Sequence, residues 1–157
     1  MQIMKISVKM MNKLQPIARF LYPIDKYLTH SLLILRIFPS IMMIYKHGWS
    51  KIAAGYEKWN SLGSALTDFI GLEFMNVFFG FMAALSESIG MVFVLIGLFT
   101  RPAAFLLLCT MFVATINHLV DGKFPELAIM YFIVMLVLFI CGPGKLSLDY
   151  HYFSKKD

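Results

Sequence analysis

The sequence predicts an all-α integral membrane protein, a four-helix up-and-down bundle, on the strength of its composition and the spacing of its apolar blocks. Of the 157 residues, 59% are hydrophobic and only 15% are charged, whereas soluble domains usually carry about 25% charged residues. The apolar residues gather in four blocks, each near the ~20 residues that a helix needs to cross ~30 Å of hydrocarbon. This balance excludes an ordinary soluble enzyme, a disordered chain and a nucleic-acid-binding protein.

The four apolar blocks follow one another along residues 27–150, which form the predicted membrane domain. The first runs from about Tyr27 to Tyr45 and the second from about Phe74 to Phe99. The third runs from about Pro102 to Val120, and the fourth, short for a span, from about Leu127 to Cys141. Backbone polar groups in lipid must be satisfied within each segment, so the blocks predict helices. Short connections predict antiparallel neighbours.

The segments outside the blocks predict surface elements. Residues 1–26 form a basic tail in which residues 5–21 mix basic and apolar side chains, which predicts an interfacial helix on the lipid surface. Residues 151–157 form a second tail. In the connection after the first block, apolar residues recur at helical spacing, at Leu62, Ala65, Leu66, Phe69 and Ile70. This pattern predicts an amphipathic helix, which we expect to lie on the outer mouth of the bundle as a lid.

The basic residues predict the orientation of the bundle. Nine of the 14 Lys and Arg residues lie on one side, namely Lys5, Lys9, Lys13, Arg19, Lys26, Arg101, Lys145, Lys155 and Lys156. Four lie on the other side, namely Lys46, Lys51, Lys58 and Lys123. By the positive-inside rule, both termini face the cytoplasm of a bacterial-type inner membrane. The bilayer, with its anionic headgroups, is therefore the expected partner of the net charge of +5.

Two charged residues fall inside apolar blocks, Arg36 in the first and Glu87 in the second. A charge at mid-bilayer costs at least ~2.5–3.5 kcal/mol on insertion scales, so each needs a partner. Counting inward from the helix ends places the two at similar depth, which predicts an ion pair between the two helices. Such a pair serves either as a structural lock on helix register or as part of a functional site such as a proton path, and the sequence leaves both readings open.

A second polar group is predicted at the outer end of the bundle. Arg36, His47 and Lys51 share one face of the first helix. His118 ends the third block and Glu126 begins the fourth, so these side chains converge. The candidate binding residues are therefore Arg36, His47, Lys51, Glu87, His118 and Glu126, while no catalytic residue is assigned.

Three interpretations of this polar group stay open. A quinone or another polar-headed lipophile is favoured, because a His or Lys there donates to a carbonyl. A metal site is a weaker alternative, because no metal-ligand spacing such as H-x-x-H is present, and we assign no metal. The third interpretation is a set of interface anchors.

At the inner end of the bundle, the predicted roles are structural. Arg101 follows a tight turn between the second and third blocks, where it neutralises the carboxyl end of the second helix or binds headgroups. After the fourth block, the run Gly142, Pro143 and Gly144 ends the helix. Asp149 or Ser147 is expected to pair with Arg101.

Six stretches in this order carry a family resemblance. They are Leu35-Arg36-Ile37-Phe38, His47-Gly48-Trp49-Ser50-Lys51, the run from Phe78 to Glu87, the turn from Gly97 to Arg101, the start of the last span with Glu126, and the run from Gly142 to Asp149. Together they resemble the DoxX family of small four-helix membrane proteins over about residues 30–150. The resemblance implies a link to sulfur, thiol and quinone redox chemistry.

The function implied by this resemblance is a membrane component of a redox system, at most a membrane subunit of an oxidoreductase. It would bind a quinone or dock a soluble redox partner protein. The alternative is a non-enzymatic membrane scaffold or a small-solute transporter. Small residues expected to face lipid, namely Ala103, Ala104 and Ala114, leave a homo-oligomer open.

Overall fold

The computed structural model describes residues 24–154, with side chains from Tyr27 onward, and that part of the chain is all-helical. The first long helix consists of α1 (Ile24–Met43), a π-helical turn (Ile44–Gly48) and α2 (Trp49–Ala53). The side helix α3 (Tyr56–Ile70) follows. The interfacial helix predicted within residues 5–21 lies outside the described residues.

The second long helix also contains a π turn. It consists of a 3₁₀ turn (Glu73–Met75), α4 (Asn76–Leu85), the π turn (Ser86–Gly90) and α5 (Met91–Ile96). The third long helix is α6 (Thr100–Val120). The described chain ends with α7 (Glu126–Cys141) and the short helix α8 (Leu148–Phe153).

Within the described part of the chain, three helices are long and apolar enough to cross a membrane: Tyr27–Ala53, Glu73–Ile96 and Thr100–Val120. α7 is apolar but has only 16 residues, which rise about 24 Å and fall short of ~30 Å of hydrocarbon. The chain is therefore a multi-pass membrane protein. The boundary predicted at Tyr45 is wrong, because the first long helix continues through the π turn to Ala53.

The first and second long helices run antiparallel and touch through glycines. A β-carbon at Gly48 would lie 2.8 Å from Ser88 Cα and closer still to the Glu87 carbonyl. Near the other end, a β-carbon at Gly97 would overlap the guanidinium of Arg36. Gly48 and Arg36 are 12 residues apart, about 18 Å of helical rise, so the structure places Arg36 and Glu87 at different depths.

The remaining long helices continue the antiparallel order. Ser86 Oγ and Thr110 Oγ1 are 2.9 Å apart and join the second long helix to α6. Two aromatic pairs join α6 to α7, Phe105 with Phe139 at 5.7 Å and Phe112 with Phe132 at 6.3 Å between ring centroids. The earlier residue of α6 pairs with the later residue of α7, so these two helices are antiparallel.

The side helix α3 packs along the second long helix. A β-carbon at Gly63 would overlap the Asn76 carbonyl, and one at Gly80 would overlap the Trp59 carbonyl, so the two backbones are in direct contact. The helix predicted in this connection is confirmed, but its position as a lid is wrong. Its packed face carries Gly63 and the buried Thr67.

The core between the long helices is rich in methionine. Its fully buried apolar side chains include Met43, Met91, Val94, Leu107, Met135 and Leu138. Ala103 and Ala104 are buried in the same core, so the prediction that they face lipid is wrong.

Candidate functional site

Two π-helical turns face each other in the bundle, Ile44–Gly48 on the first long helix and Ser86–Gly90 on the second. A π turn shifts the backbone hydrogen-bond register, and such turns often occur at functional sites. In the second turn, the hydroxyls of Ser86 and Ser88 donate to the carbonyls of Ala83 at 2.8 Å and Ala84 at 2.6 Å. These bonds satisfy backbone acceptors where the helical register changes.

The close approach of the two turns brings Lys51 to Glu87. Lys51 Nζ lies 2.6 Å from Glu87 Oε2 and 2.7 Å from Oε1. The Glu87 side chain is only 4% exposed and that of Lys51 is 23% exposed. A buried carboxylate is tolerated when it is paired and hydrogen-bonded, and here the ammonium of Lys51 meets both requirements.

The predicted pairing of Glu87 with Arg36 is therefore wrong. The partner of Glu87 comes from the last turn of the first long helix, because that helix continues past the apolar block and Gly48 faces Glu87. Trp59 fixes the same turn from the side, since its Nε1 donates to the Lys51 carbonyl at 3.0 Å.

Lys51 and Glu87 line a cavity of about 450 Å³, which we call the outer cavity. Its walls come from the first and second long helices, α6, α7 and the connection between these last two. The polar lining residues are His47, Lys51, Glu87, His118, Lys123, Glu126 and Tyr131, and the apolar ones are Met43, Met111, Ala114, Phe124, Pro125, Leu127 and Ala128. Five of the six candidate binding residues thus meet here, and Arg36 is not among them.

The outer cavity combines apolar side chains, including two methionines at its deep end, with charged and polar side chains. Met43 and Met111 lie a turn or more deeper along their helices than Lys51 and His118. The rim carries the exposed side chains of His118 and Glu126. No three His, Cys, Asp or Glu side chains within residues 24–154 are grouped so as to hold a metal ion. The lining thus suits a molecule with an apolar body and a polar head.

Arg36 is 1% exposed and lies at the end of the molecule opposite the outer cavity, and we call that end the inner end. Its Nη2 donates to the Leu146 carbonyl at 2.6 Å, while Nε and Nη1 have no partner among the described residues. Gly97 leaves room for the guanidinium. Arg36 therefore ties the segment after α7 to the first long helix.

Asp149 holds the same segment against the start of α6. Its carboxylate accepts from the backbone N–H of Phe99 at 2.7 Å and of Thr100 at 2.9 Å, and its own N–H donates to Gly97 O at 2.7 Å. Phe99 has φ 48°, in the left-handed region that a bulky residue rarely adopts. A carboxylate at a helix N-terminus satisfies free N–H groups and complements the helix dipole.

The predicted pairing of Arg101 with Asp149 or Ser147 is wrong. Arg101 Nη2 donates to the Ile140 carbonyl at 3.3 Å, near the carboxyl end of α7 and not of the second long helix. Ser147 Oγ donates to the Gly144 carbonyl at 2.7 Å and accepts from Tyr150 N–H at 3.1 Å, which caps α8. Gly142 and Gly144 adopt positive φ values of 76° and 80° on either side of Pro143, where the chain leaves α7.

The DoxX family profile matches residues 31–120, which include both π turns, Lys51 and Glu87. The chain belongs to the DoxX family. The expected resemblance is thereby confirmed. This DoxX protein is also 31% identical to an uncharacterized protein of Haemophilus influenzae (strain ATCC 51907 / DSM 11121 / KW20 / Rd), over 84% of this chain and 98% of that relative. No solved structure matches the chain.

Sequence reasoning gave no site role to Tyr131, which lines the outer cavity of this DoxX protein, or to Gly48, which packs against the Glu87 backbone. Tyr131 is buried, and its hydroxyl donates to the Pro39 carbonyl at 3.3 Å. Its signal in the sequence is a hydroxyl inside an otherwise apolar block, because a buried tyrosine hydroxyl usually finds a hydrogen-bond partner. Gly48 carried no comparable signal, because its role is to make room for the neighbouring backbone.

Proposed function

We propose that this DoxX protein spans the inner membrane as a four-helix up-and-down bundle with both termini in the cytoplasm. The antiparallel contacts among the long helices and α7 support this topology. α7 reaches across if the preceding connection lies in the interface, where Phe124, 74% exposed, serves as an aromatic anchor. The distribution of basic residues supports the orientation.

Within this bundle, the outer cavity binds the head of a small lipophilic molecule, for which a quinone has the matching chemistry. The observation that carries the proposal is the ion pair between the buried Glu87 and the partly exposed Lys51 in the wall of a cavity of about 450 Å³. That volume lies within the range of about 300–1,000 Å³ usual for ligand pockets. Buried charges inside a membrane protein are functional candidates by default.

The lining residues divide the binding work by their chemistry. The ammonium of Lys51 retains donor capacity beyond Glu87 and donates to a carbonyl oxygen of the head. His47 supplies a second donor or a proton acceptor, and His118 and Glu126 hold the polar rim. The methionines at the deep end contact the apolar part of the ligand. A bound quinone would supply two-electron redox chemistry, in a system completed by a soluble partner protein.

The second candidate is a small-solute transporter or scaffold. The feature that favours it is the presence of buried charged side chains at two different depths along the helices. Arg36 at the inner end and Lys51–Glu87 at the outer cavity are, however, separated in the core by fully buried Met43, Met91 and Leu107. A polar solute passing between these levels meets apolar side chains, and this favours binding over transport.

A fluorescence titration tests the proposed ligand. The full-length protein carrying Trp49→Phe is titrated with a short-chain quinone, so that Trp59 beside Lys51 reports binding. We expect a saturable quench whose Kd rises at least about tenfold in Lys51→Met, the equivalent of one charge-assisted hydrogen bond. Lys46→Met is the matched control, because Lys46 is exposed and does not line the cavity. A quench that does not saturate, or equal Kd values in the two variants, contradicts the proposal.

Cysteine labelling tests the orientation separately. In a background with Cys109→Ser and Cys141→Ser, Lys123→Cys is expected to react with a membrane-impermeant maleimide added to intact cells. Lys145→Cys is expected to react only after the membrane is permeabilised. The reverse pattern contradicts the proposed topology.

A further inference from the structure

We infer that the inner end of the molecule carries a binding site for the phosphate-bearing head of an anionic phospholipid. A groove of about 580 Å³, here called the inner groove, lies between the turn before α6, the loop after α7 and the helix α8. Two exposed cationic side chains, Arg101 and Lys145, line it. This site does not depend on which ligand the outer cavity takes, because the two lie at opposite ends of the chain's long helices.

The guanidinium of Arg101 lies over the backbone at Gly142, where there is no side chain, and it is hydrogen-bonded to the end of α7. Its Nη2 donates to the Ile140 carbonyl at 3.3 Å. Its Nε and Nη2 lie 3.7 Å from the position that a β-carbon on Gly142 would take. The guanidinium has five N–H donors, and the described residues engage one nitrogen. An anchored arginine with free donors is suited to a phosphate, which it binds in a bidentate way.

Among the described residues that line the inner groove, Asp149 alone carries a carboxylate, and it does not cancel this charge. Asp149 directs its two oxygens at the N–H groups of Phe99 and Thr100. The buried cation Arg36 lies behind it, tied to Leu146 within the same segment. The groove therefore presents the charges of Arg101 and Lys145 to an incoming anion.

The surroundings of the groove favour a lipid over free phosphate. Phe99 and Phe153 line it with centroids 5.9 Å apart, and they are 53% and 62% exposed. The short helix α8 also exposes Tyr150 and Tyr152. Tyrosine side chains concentrate at the headgroup level of a bilayer, and the two phenylalanines add apolar surface beside them. A phosphate bound to Arg101 thus lies beside apolar surface that its acyl chains contact, and phosphatidylglycerol is the occupant we commit to.

Native mass spectrometry of the full-length protein tests this site. The protein is equilibrated with equal amounts of phosphatidylglycerol and phosphatidylcholine, and the retained lipid is counted. We expect phosphatidylglycerol to be preferred, and the double variant Arg101→Gln/Lys145→Gln to lose that preference by about fivefold for each basic residue removed. The matched control Lys46→Gln/Lys58→Gln removes two exposed lysines that line neither cavity. An equal loss in the control, or no preference in the wild type, overturns the inference.

A second variant separates headgroup binding from folding. Cys141 is exposed and lines the inner groove, so Cys141→Trp fills the space without changing any charge. We expect it to lower retention of phosphatidylglycerol while the circular dichroism spectrum stays that of the wild type. Retention unchanged in this folded variant contradicts the site. Inorganic phosphate is added in a parallel sample, and displacement of the lipid by phosphate alone would overturn the choice of a lipid as occupant.

Discussion

Lys51 Nζ and Glu87 Oε2, 2.6 Å apart, connect the last turn of the first long helix to the π turn of the second. Lys51 is the more exposed of the two side chains, 23% against 4%. A molecule entering the outer cavity therefore meets the ammonium before the carboxylate. The pair has a structural role, since it neutralises Glu87, and a chemical one, since it presents a donor to the cavity.

The first prediction concerns the loss of one member of this pair. Lys51→Met leaves the Glu87 carboxylate buried without a counter-charge, which is expected to cost about 3–5 kcal/mol. The double variant Lys51→Met/Glu87→Leu removes both charges and is expected to recover most of that loss. Thermal unfolding followed by circular dichroism measures both. A double variant no more stable than Lys51→Met would contradict the view that the uncompensated charge is the cause.

A second prediction distinguishes the two possible partners of Glu87 by charge exchange. Lys51→Glu/Glu87→Lys keeps one positive and one negative charge at the observed contact, so we expect a folded protein whose thermal midpoint is above that of either single variant. Arg36→Glu/Glu87→Arg places its new charges at different depths and is expected to be less stable than Lys51→Glu/Glu87→Lys. If the Arg36 exchange were the more stable of the two, the observed pairing would be wrong.

The sequence predicted which residues share a face of the first long helix, but not the depth in the bundle at which each of them lies. His47 and Lys51 line the outer cavity, as their helical spacing from Arg36 indicates. The end of the helix could not be predicted, because the polar residues after Tyr45 are typical of a connection between helices. The helix in fact continues to Ala53. Helix register is set here by the contact of Gly48 with the Glu87 backbone, and a glycine in a sequence does not name its neighbour.

The inner end shows the same limit for hydrogen bonds to the backbone. Sequence reasoning pairs opposite charges and therefore predicts Arg101 as a partner of Asp149. The actual partners of Asp149 are the N–H groups of Phe99 and Thr100. Backbone groups of this kind exist at every residue, and only the fold decides which of them lie free at a helix start.

A third prediction tests the glycine contact between the π turns. Gly48→Ala places a methyl group into the carbonyl of Glu87, and overpacking of this kind typically costs about 1–3 kcal/mol. Gly90→Ala is the control, because its β-carbon would lie 3.5 Å from the Leu85 carbonyl, an ordinary contact. We expect a lower thermal midpoint for Gly48→Ala than for Gly90→Ala. Equal midpoints would mean that the two turns separate easily.

The last prediction concerns Asp149 as the cap of α6. Asp149→Ala removes the carboxylate that accepts from the N–H groups of Phe99 and Thr100 and that holds Phe99 at φ 48°. The expected loss in the free energy of unfolding is about 2 kcal/mol. Hydrogen exchange should quicken at residues 97–100 and 144–150 together, because Asp149 joins these segments. Asp121→Ala is the matched control at the other end of the same helix, where the exposed carboxylate opposes the dipole and its removal leaves stability equal or slightly higher. Faster exchange in only one of the two segments would contradict a shared tie, and equal destabilisation by Asp121→Ala would contradict a specific role of Asp149 as the cap of α6.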